Sequence, residues 1–437
     1  MEKIRVGVIS LGCDKNRVDT EKMLGILSDE FLIVDNPESA DVIIINTCAF
    51  LESARKEAIE EILWASALKG YNPNLKLIVT GCLPQKFVGD IFEELPEVDA
   101  FLGVSDYADI KEVIHKTLKG QRVNSVGEPR GECGTHRILT TNGYAYLKIA
   151  DGCSNHCTYC LIPSIRGKYR SVQMNDLLLE AKSLGKTNEL ILVAQDVTKY
   201  GLDLTPKTSI VELIKELSKL DNICHIRLLY CYPESVSDEL IEEIRNNPKV
   251  IKYIDMPLQH ADDTILKLMN RKGSFDGYLA LVNKLKERVP TIAIRSTFIT
   301  GFPGETEQAH ERLIEFLQKA KLFNAGFFAY SREQGTPAYK LPDQIDGKTK
   351  NKRLRALYSA QKKVVKQNLK EYLGKTISVV CEGFDQNALV YYGRAYFNAP
   401  DIDGKIYFFS ADEIEYGKYY DIKIQKVDGY DLYGDRL

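Results

Sequence analysis

The sequence predicts a mixed α/β protein in three consecutive blocks: a parallel α/β domain over 1–120, a partial (β/α)6 barrel over 139–370 and a small OB-like β-barrel over 373–437. Three observations carry this. Short β-rich runs alternate with helical stretches through the first two blocks, which is the pattern of parallel sheets with crossover helices. Six such units follow the linker at 124–142, too few for a closed eightfold barrel. From Ile377 onward the helices stop, and short strands are separated by Asp/Gly turns.

In the first block the runs at 4–9, 41–45 and 75–79 read as strands, and Cys13, Cys48 and Cys82 each lie a few residues beyond one of them. The intervals, 35 and 34 residues, put all three cysteines at one sheet edge. In open α/β sheets the carboxyl ends of the strands form the ligand crevice, so thiols landing there can converge although no pair is close in sequence. A single cysteine after a strand is often only a small core residue. Three at this spacing make a three-thiolate site.

The second block opens on a strand-like run followed by Cys153-Ser154-Asn155-His156-Cys157-Thr158-Tyr159-Cys160. Three thiolates at CxxxCxxC spacing suit a four-iron, four-sulfur cluster that leaves one iron without a protein ligand. The alternative is a closed zinc knuckle completed by His156 or a distant cysteine. Other candidate residues follow later strands and meet at the same barrel mouth: Gln195 and Asp196, Gln259 and His260, the run 301–306, and 331–337. Within 301–306 (Gly-Phe-Pro-Gly-Glu-Thr), Gly301 and Gly304 permit close approach, and a helix opening there would present free N–H groups to a cofactor. The same turn also reads as plain punctuation between strand and helix. His260 reads equally as a hydrogen-bonded structural residue.

Asp151-Gly152-Cys153 through Cys160, with Ile162-Pro163 and Arg166-Gly167 beyond, resembles the radical S-adenosylmethionine methylthiotransferase family. The runs 10–16, 46–50 and 80–85, around Cys13, Cys48 and Cys82, resemble the three cysteine motifs of that family's N-terminal domain, and the last block resembles its TRAM domain. The resemblance implies two [4Fe-4S] clusters. One, on Cys153, Cys157 and Cys160, chelates S-adenosylmethionine and cleaves it to a deoxyadenosyl radical. The other, on Cys13, Cys48 and Cys82, takes part in sulfur delivery. It also implies cofactor contacts from Gln259, Arg295 and the strand-five motif containing Gly301, Gly304 and Glu305, and it requires an external electron donor. Four features favour the branch that modifies the β-carbon of an aspartate in small-subunit ribosomal protein twelve over the branch that modifies a tRNA adenosine. They are the run 11–16, the run 295–298, Glu333, and the ending at 430–434. The family pattern more often has proline where Asp14 stands, which touches the loop beside Cys13 and leaves the ligand in place.

Composition bounds the remaining possibilities. The chain has 437 residues, 44% hydrophobic and 27% charged, with a net charge of −3. It reads as a globular, monomeric, cytoplasmic protein without a signal segment or a membrane span. Ten cysteines then read as metal ligands or reduced core residues, with Cys133, Cys224, Cys231 and Cys381 outside the sites. No global basic field announces nucleic acid. The run 348–370 gathers lysines and arginines, which reads as a solvated helix face or an RNA contact. The last block has seven bases against eleven acids, a net of −4. That charge suits a basic protein partner better than a phosphate backbone, with Asp401, Asp403, Glu413 and Glu415 as candidate contacts.

Overall fold

The computed structural model describes residues 3–131 and 136–437, so Cys133 lies outside the described residues. The first block is built on a parallel sheet of β1 (Arg5–Ser10), β2 (Leu32–Val34), β3 (Val42–Thr47), β4 (Lys76–Gly81), β5 (Ala100–Leu102) and β6 (Val123–Ser125), in the order β2-β1-β3-β4-β5-β6. β3 is buried along its whole length. It therefore reads as a continuous apolar run, because both faces are covered by helices. Ile43 and Ile45 point into one core, and Val42 and Ile44 into the other. Adjacent strands β1, β3 and β4 carry the three cysteine loops.

The second block contains β7 (Tyr144–Lys148), a two-stranded ribbon of β8 (Ala150–Asp151) and β9 (Arg170–Ser171), then β10 (Thr187–Val193), β11 (Ile223–Leu228), β12 (Val250–Asp255), β13 (Ala293–Thr300) and β14 (Asn324–Ala329). The main sheet runs β14-β13-β12-β11-β10-β7, parallel throughout, and gives the half-barrel that six units predict. Alternate strand residues such as Leu147, Leu190, Leu192, Ile226 and Ile254 face the outer helices. Their neighbours Tyr146, Ile191, Val193 and Tyr253 face the concave side.

The last block is a closed five-stranded barrel of β15 (Thr376–Asp385), β16 (Val390–Arg394), β17 (Ile406–Phe409), β18 (Tyr419–Asp428) and β19 (Asp431–Arg436), in the order β15-β16-β17-β19-β18. Its core is continuous with the concave face of the half-barrel, since Ile406, Phe408 and Ile422 share a cluster with Tyr146, Ile191 and Tyr253. Phe397 seals the seam, 4.9 Å from the ring of Phe323 and 4.7 Å from that of Tyr372.

Ion pairs fix this docking. Glu189 on β10 holds Arg227 on one side and Arg394 of the last barrel on the other, the latter at 3.1 Å. Burial pushes the Glu189 carboxyl up, but the two guanidinium groups together outweigh it and hold it at about 2. A carboxylate depressed on folding contributes stability that is complete above its unfolded value near 4.5 and is lost as pH falls through about 2, worth about 3 kcal/mol in all. Acidification through that window should release the last barrel, measured as new proteolytic cleavage near residues 370–376, and Glu189→Gln should flatten that response.

The structure corrects the acidic contact surface expected from charge alone. The side chain of Asp403 is buried, its carboxylate accepting from Tyr253 Oη at 2.7 Å and Ala399 N at 2.9 Å beside Arg295. Asp401 pairs with Arg17 at 3.5 Å. Glu413 and Glu415 are exposed. Strand alternation could not tell these positions apart, because both aspartates lie in the loop that packs on the half-barrel. Among the described residues, no helix is long and apolar enough to cross a membrane. The basic run forms the helix Gly347–Lys370, of which Arg353 is buried against Glu305 and not part of a solvated face.

Candidate active site between two cysteine trios

Each cysteine of the first trio lies just past the carboxyl end of its strand: Cys13 caps the helix Asp14–Leu27, Cys48 lies in the loop after β3, and Cys82 opens the helix Cys82–Glu94. Gly12 adopts φ +91°, and a Cβ there would stand 2.7 Å from Cys48 Cβ and 3.3 Å from its Sγ. The turn before Cys13 therefore lies directly against Cys48, and only glycine fits. Asn16 is the hub: its side-chain N–H groups donate to Leu11 O and Thr47 O, and its Oδ1 lies 4.0 Å from Cys13 Sγ and 3.9 Å from Cys82 Sγ. Burial pushes the Cys82 thiol up to about 12, with Cys48 and Cys13 adding to the rise and Arg166 opposing it. Burial likewise raises Cys48, with Cys13 adding.

The second trio sits on a loop pinned at several points. Cys153 N donates to Gly167 O at 3.1 Å, Thr158 N to Met269 O at 3.1 Å, and Cys160 N to Cys157 O at 3.1 Å. Gly152, at φ +75°, passes so near the returning chain that a Cβ would meet Lys168 O at 2.2 Å. The Cys160 sulfur accepts from Ile162 N at 3.4 Å. Its thiol is pushed up to about 12 by burial, with Cys157 and Cys153 adding to the rise. His156 takes a left-handed φ of +53°, and its carbonyl accepts from Asn270. All six cysteines are unbridged.

The element joining the trios is one that sequence reasoning quoted without a role. Arg166, buried just past the second trio, donates to Asp151 Oδ2 at 2.8 Å, to Asn16 Oδ1 at 2.7 Å and to Asp19 Oδ2 at 3.1 Å, and its Nη2 lies 3.8 Å from Cys82 Sγ. Lys148 pairs with both aspartates, at 3.6 Å to Asp151. Two cations against two carboxylates, spread over both blocks, make a buried lock between the half-barrel and the first domain. Removing one member leaves a charge uncompensated, so Arg166→Met should cost about 3–5 kcal/mol in denaturant unfolding. Arg166→Lys should recover part of that loss. Glu333 is a second lock, accepting from Glu52 N at 3.0 Å and from Arg55 at 2.6 Å. It thereby holds the start of the helix Glu52–Ala67, which follows the Cys48 loop.

The remaining candidates divide. Gln259, at φ +73°, is held in the mouth by Gln259 N to Thr297 O at 2.8 Å and Ile299 N to Gln259 O at 2.7 Å. Gly301 and Gly304 both have positive φ at the end of β13, with Gly301 packed against Lys350. The carboxylate of Glu305 turns back into this loop, where it accepts from Gly301 N at 2.7 Å, Thr300 Oγ1 and Arg353, with His260 at 3.4 Å. It is thus fully engaged in shaping the turn, and His260 is a structural partner of it. Burial pushes Glu305 up, but His260, Arg353 and the Gly301 N–H outweigh it and hold it below the usual range. Arg295 is paired with Asp255 at 2.9 Å and Asp403 at 3.4 Å, so its charge faces the docked last barrel.

Among the described residues, no group of three or more His, Cys, Asp or Glu is set to hold a single metal ion. The donor sets instead fit clusters. Each trio supplies three thiols; burial raises Cys48 and Cys82 in the first and Cys153 and Cys160 in the second, and backbone hydrogen bonds hold the loop of the second. Soft thiolate sets select iron–sulfur clusters over hard cations.

Residues 147–317 match the Radical SAM superfamily, 5–103 the Uncharacterized protein family UPF0004, and 373–436 the TRAM domain. The chain is 46% identical over 446 residues to a ribosomal protein uS12 methylthiotransferase RimO of Acetivibrio thermocellus, covering 99% of this chain and 98% of that one. It is also 46% identical to the protein of that name from a Thermoanaerobacter species, covering 98% and 99%. The chain belongs to the RimO family of methylthiotransferases. It is therefore a radical S-adenosylmethionine enzyme, and RimO-family membership brings with it S-adenosylmethionine and a [4Fe-4S] cluster.

Solved structures of distant sequence share much of this fold. A radical S-adenosylmethionine methyltransferase, TsrM, from Kitasatospora setae superposes with a TM-score of 0.55 at 14% identity, covering 77% of each chain. The cobalamin-dependent radical enzyme OxsB superposes with a TM-score of 0.53 at 12% identity, covering 84% of this chain and 56% of that one. At these identities the likeness is one of fold.

Proposed function

We propose that this RimO-family enzyme replaces a C–H bond on the β-carbon of an aspartate in ribosomal protein uS12 by C–S–CH₃. One S-adenosylmethionine is consumed for hydrogen abstraction and another for the methyl group. The roles divide by block: 1–120 holds the sulfur-delivering cluster on Cys13, Cys48 and Cys82, 139–370 cleaves the cofactor at Cys153, Cys157 and Cys160, and 373–437 recognises the substrate. When bound, a cluster held by Cys153, Cys157 and Cys160 would supply one-electron reduction of S-adenosylmethionine, the electron coming from an external donor, and one held by Cys13, Cys48 and Cys82 would supply the site of sulfur delivery.

The residues of the chain act on geometry. The pinned loop 153–160 and the turn at Gly301 and Gly304 shape the cofactor pocket, with Gln259 beside it. Arg166, Asp19, Asp151 and Lys148 keep the two trios in register and the space between them dry, which matters where a radical must meet only its substrate. The observation that carries this reading is the single buried guanidinium reaching from the second trio's loop to Cys82 of the first. The net charge of −4 on the last block, with Glu413 and Glu415 exposed, supports a basic protein partner over tRNA. The test is a direct comparison by one reconstituted, reduced preparation: methylthiolation of uS12 is expected, and modification of isopentenylated tRNA alone overturns the assignment.

A further inference from the structure

Lys15 is the second residue of the helix Asp14–Leu27, whose N-cap is Cys13 itself. It is therefore carried directly on a proposed cluster ligand. Its side chain is 8% exposed, and its ammonium makes a 2.8 Å ion pair with Asp14 and lies 3.5 Å above the ring of Tyr230. Among the described residues, no hydrogen bond reaches this nitrogen. An ammonium has three donors and is costly to remove from water unless its charge is met. One carboxylate and one ring face leave it with spare donor capacity in a nearly closed place.

That place lies in the barrel mouth. Tyr230 stands just beyond the carboxyl end of β11, at a left-handed φ of +60°, with its N–H donated to Asp255 at 3.1 Å. Lys15, two residues from Cys13, lies over this ring, so the loop of the first trio reaches it. Two residues on, the ring of Tyr232 has Lys199 5.8 Å above it, and Lys199 donates to Asn155 in the loop of the second trio. The ammonium of Lys15 thus stands where the two trios face the same strand end.

We propose that Lys15 binds the side-chain carboxylate of the substrate aspartate and so fixes the adjacent β-carbon between the trios. Asp14 and the Tyr230 ring hold the ammonium in place, and its spare N–H donors meet the incoming oxygen. The inference rests on the proposed aspartate substrate and assigns the group that selects it. A neutral amide or a nucleobase would meet the spare N–H donors with a weaker acceptor than a carboxylate, which is how a buried polar site discriminates against the wrong ligand.

The test is binding of two synthetic uS12 peptides to the full-length, cluster-loaded enzyme, one with the target aspartate and one with asparagine in its place. Iron content and circular dichroism serve as controls for folding. Wild type should prefer the aspartate peptide by at least about tenfold, the loss expected for one charge-assisted hydrogen bond. Lys15→Met should abolish that preference by weakening the aspartate peptide alone, with the loss in KM exceeding that in kcat, and Lys15→Arg should restore part of it. A wild type that binds both peptides alike, or a Lys15→Met that keeps the preference, overturns the assignment. A wild type that binds neither peptide overturns the aspartate reading, and the assignment with it.

Discussion

Replacing Cys153, Cys157 and Cys160 together by alanine should halve the iron of the reconstituted chain, from about eight to about four atoms, and abolish release of 5′-deoxyadenosine. The expectation follows from how the two sites are built. The first trio hangs on β1, β3 and β4 of one sheet, with Asn16 as its hub. The second hangs on a loop fastened to Gly167, Met269 and Asn270 of another. No cysteine is shared, and the loop hydrogen bonds that hold the second trio are mostly from backbone, so alanine leaves them intact. Electron paramagnetic resonance should still report the remaining cluster. Loss of all iron in this variant would contradict independent sites.

The converse variant, with Cys13, Cys48 and Cys82 changed to alanine, should continue to cleave S-adenosylmethionine but form no methylthiolated product. Cleavage needs only the half-barrel's own loop, whereas product needs sulfur from the other side of the cleft. Alanine is smaller than cysteine, so the buried position of Cys82 will lose some packing. The lock of Arg166 with Asp151 and Asp19 does not depend on the thiols and should keep the domains docked. The measurement is deoxyadenosine and product from the same reaction. Product formation at the wild-type rate would remove the first trio from sulfur delivery.

The grouping of the cysteines is legible in the sequence because it is carried by residue type and spacing. Cys153, Cys157 and Cys160 lie within eight residues, and Cys13, Cys48 and Cys82 converge because equal crossover lengths return the chain to the same sheet edge. Strands β2, β5 and β6, three residues each, are too short for any periodicity to mark them. The fifth strand of the last barrel, β19, is hidden for a different reason: its start at Asp431 follows the Gly429-Tyr430 turn directly and reads as part of that turn.

Charged residues are the least legible, because their partners come from distant parts of the chain. Glu305 follows a turn of cofactor-binding appearance, yet its carboxylate is taken by Gly301 N, Arg353 and His260. Arg295 lies on the right strand, but Asp403, more than a hundred residues later, claims it. Glu333, singled out for its acidity, caps a helix in the first domain. Arg166 was visible beside a cysteine motif, but only the packing of two domains shows it against Cys82.

The measurement that bears most directly on the central claim is the intact mass of ribosomal protein uS12 purified from cells lacking this gene and from the same cells with it restored. Restoration should add the mass of one methylthio group to uS12, with fragmentation placing it on a single aspartate. An unchanged uS12 mass, in cells whose tRNA gains a methylthio group instead, would contradict the account.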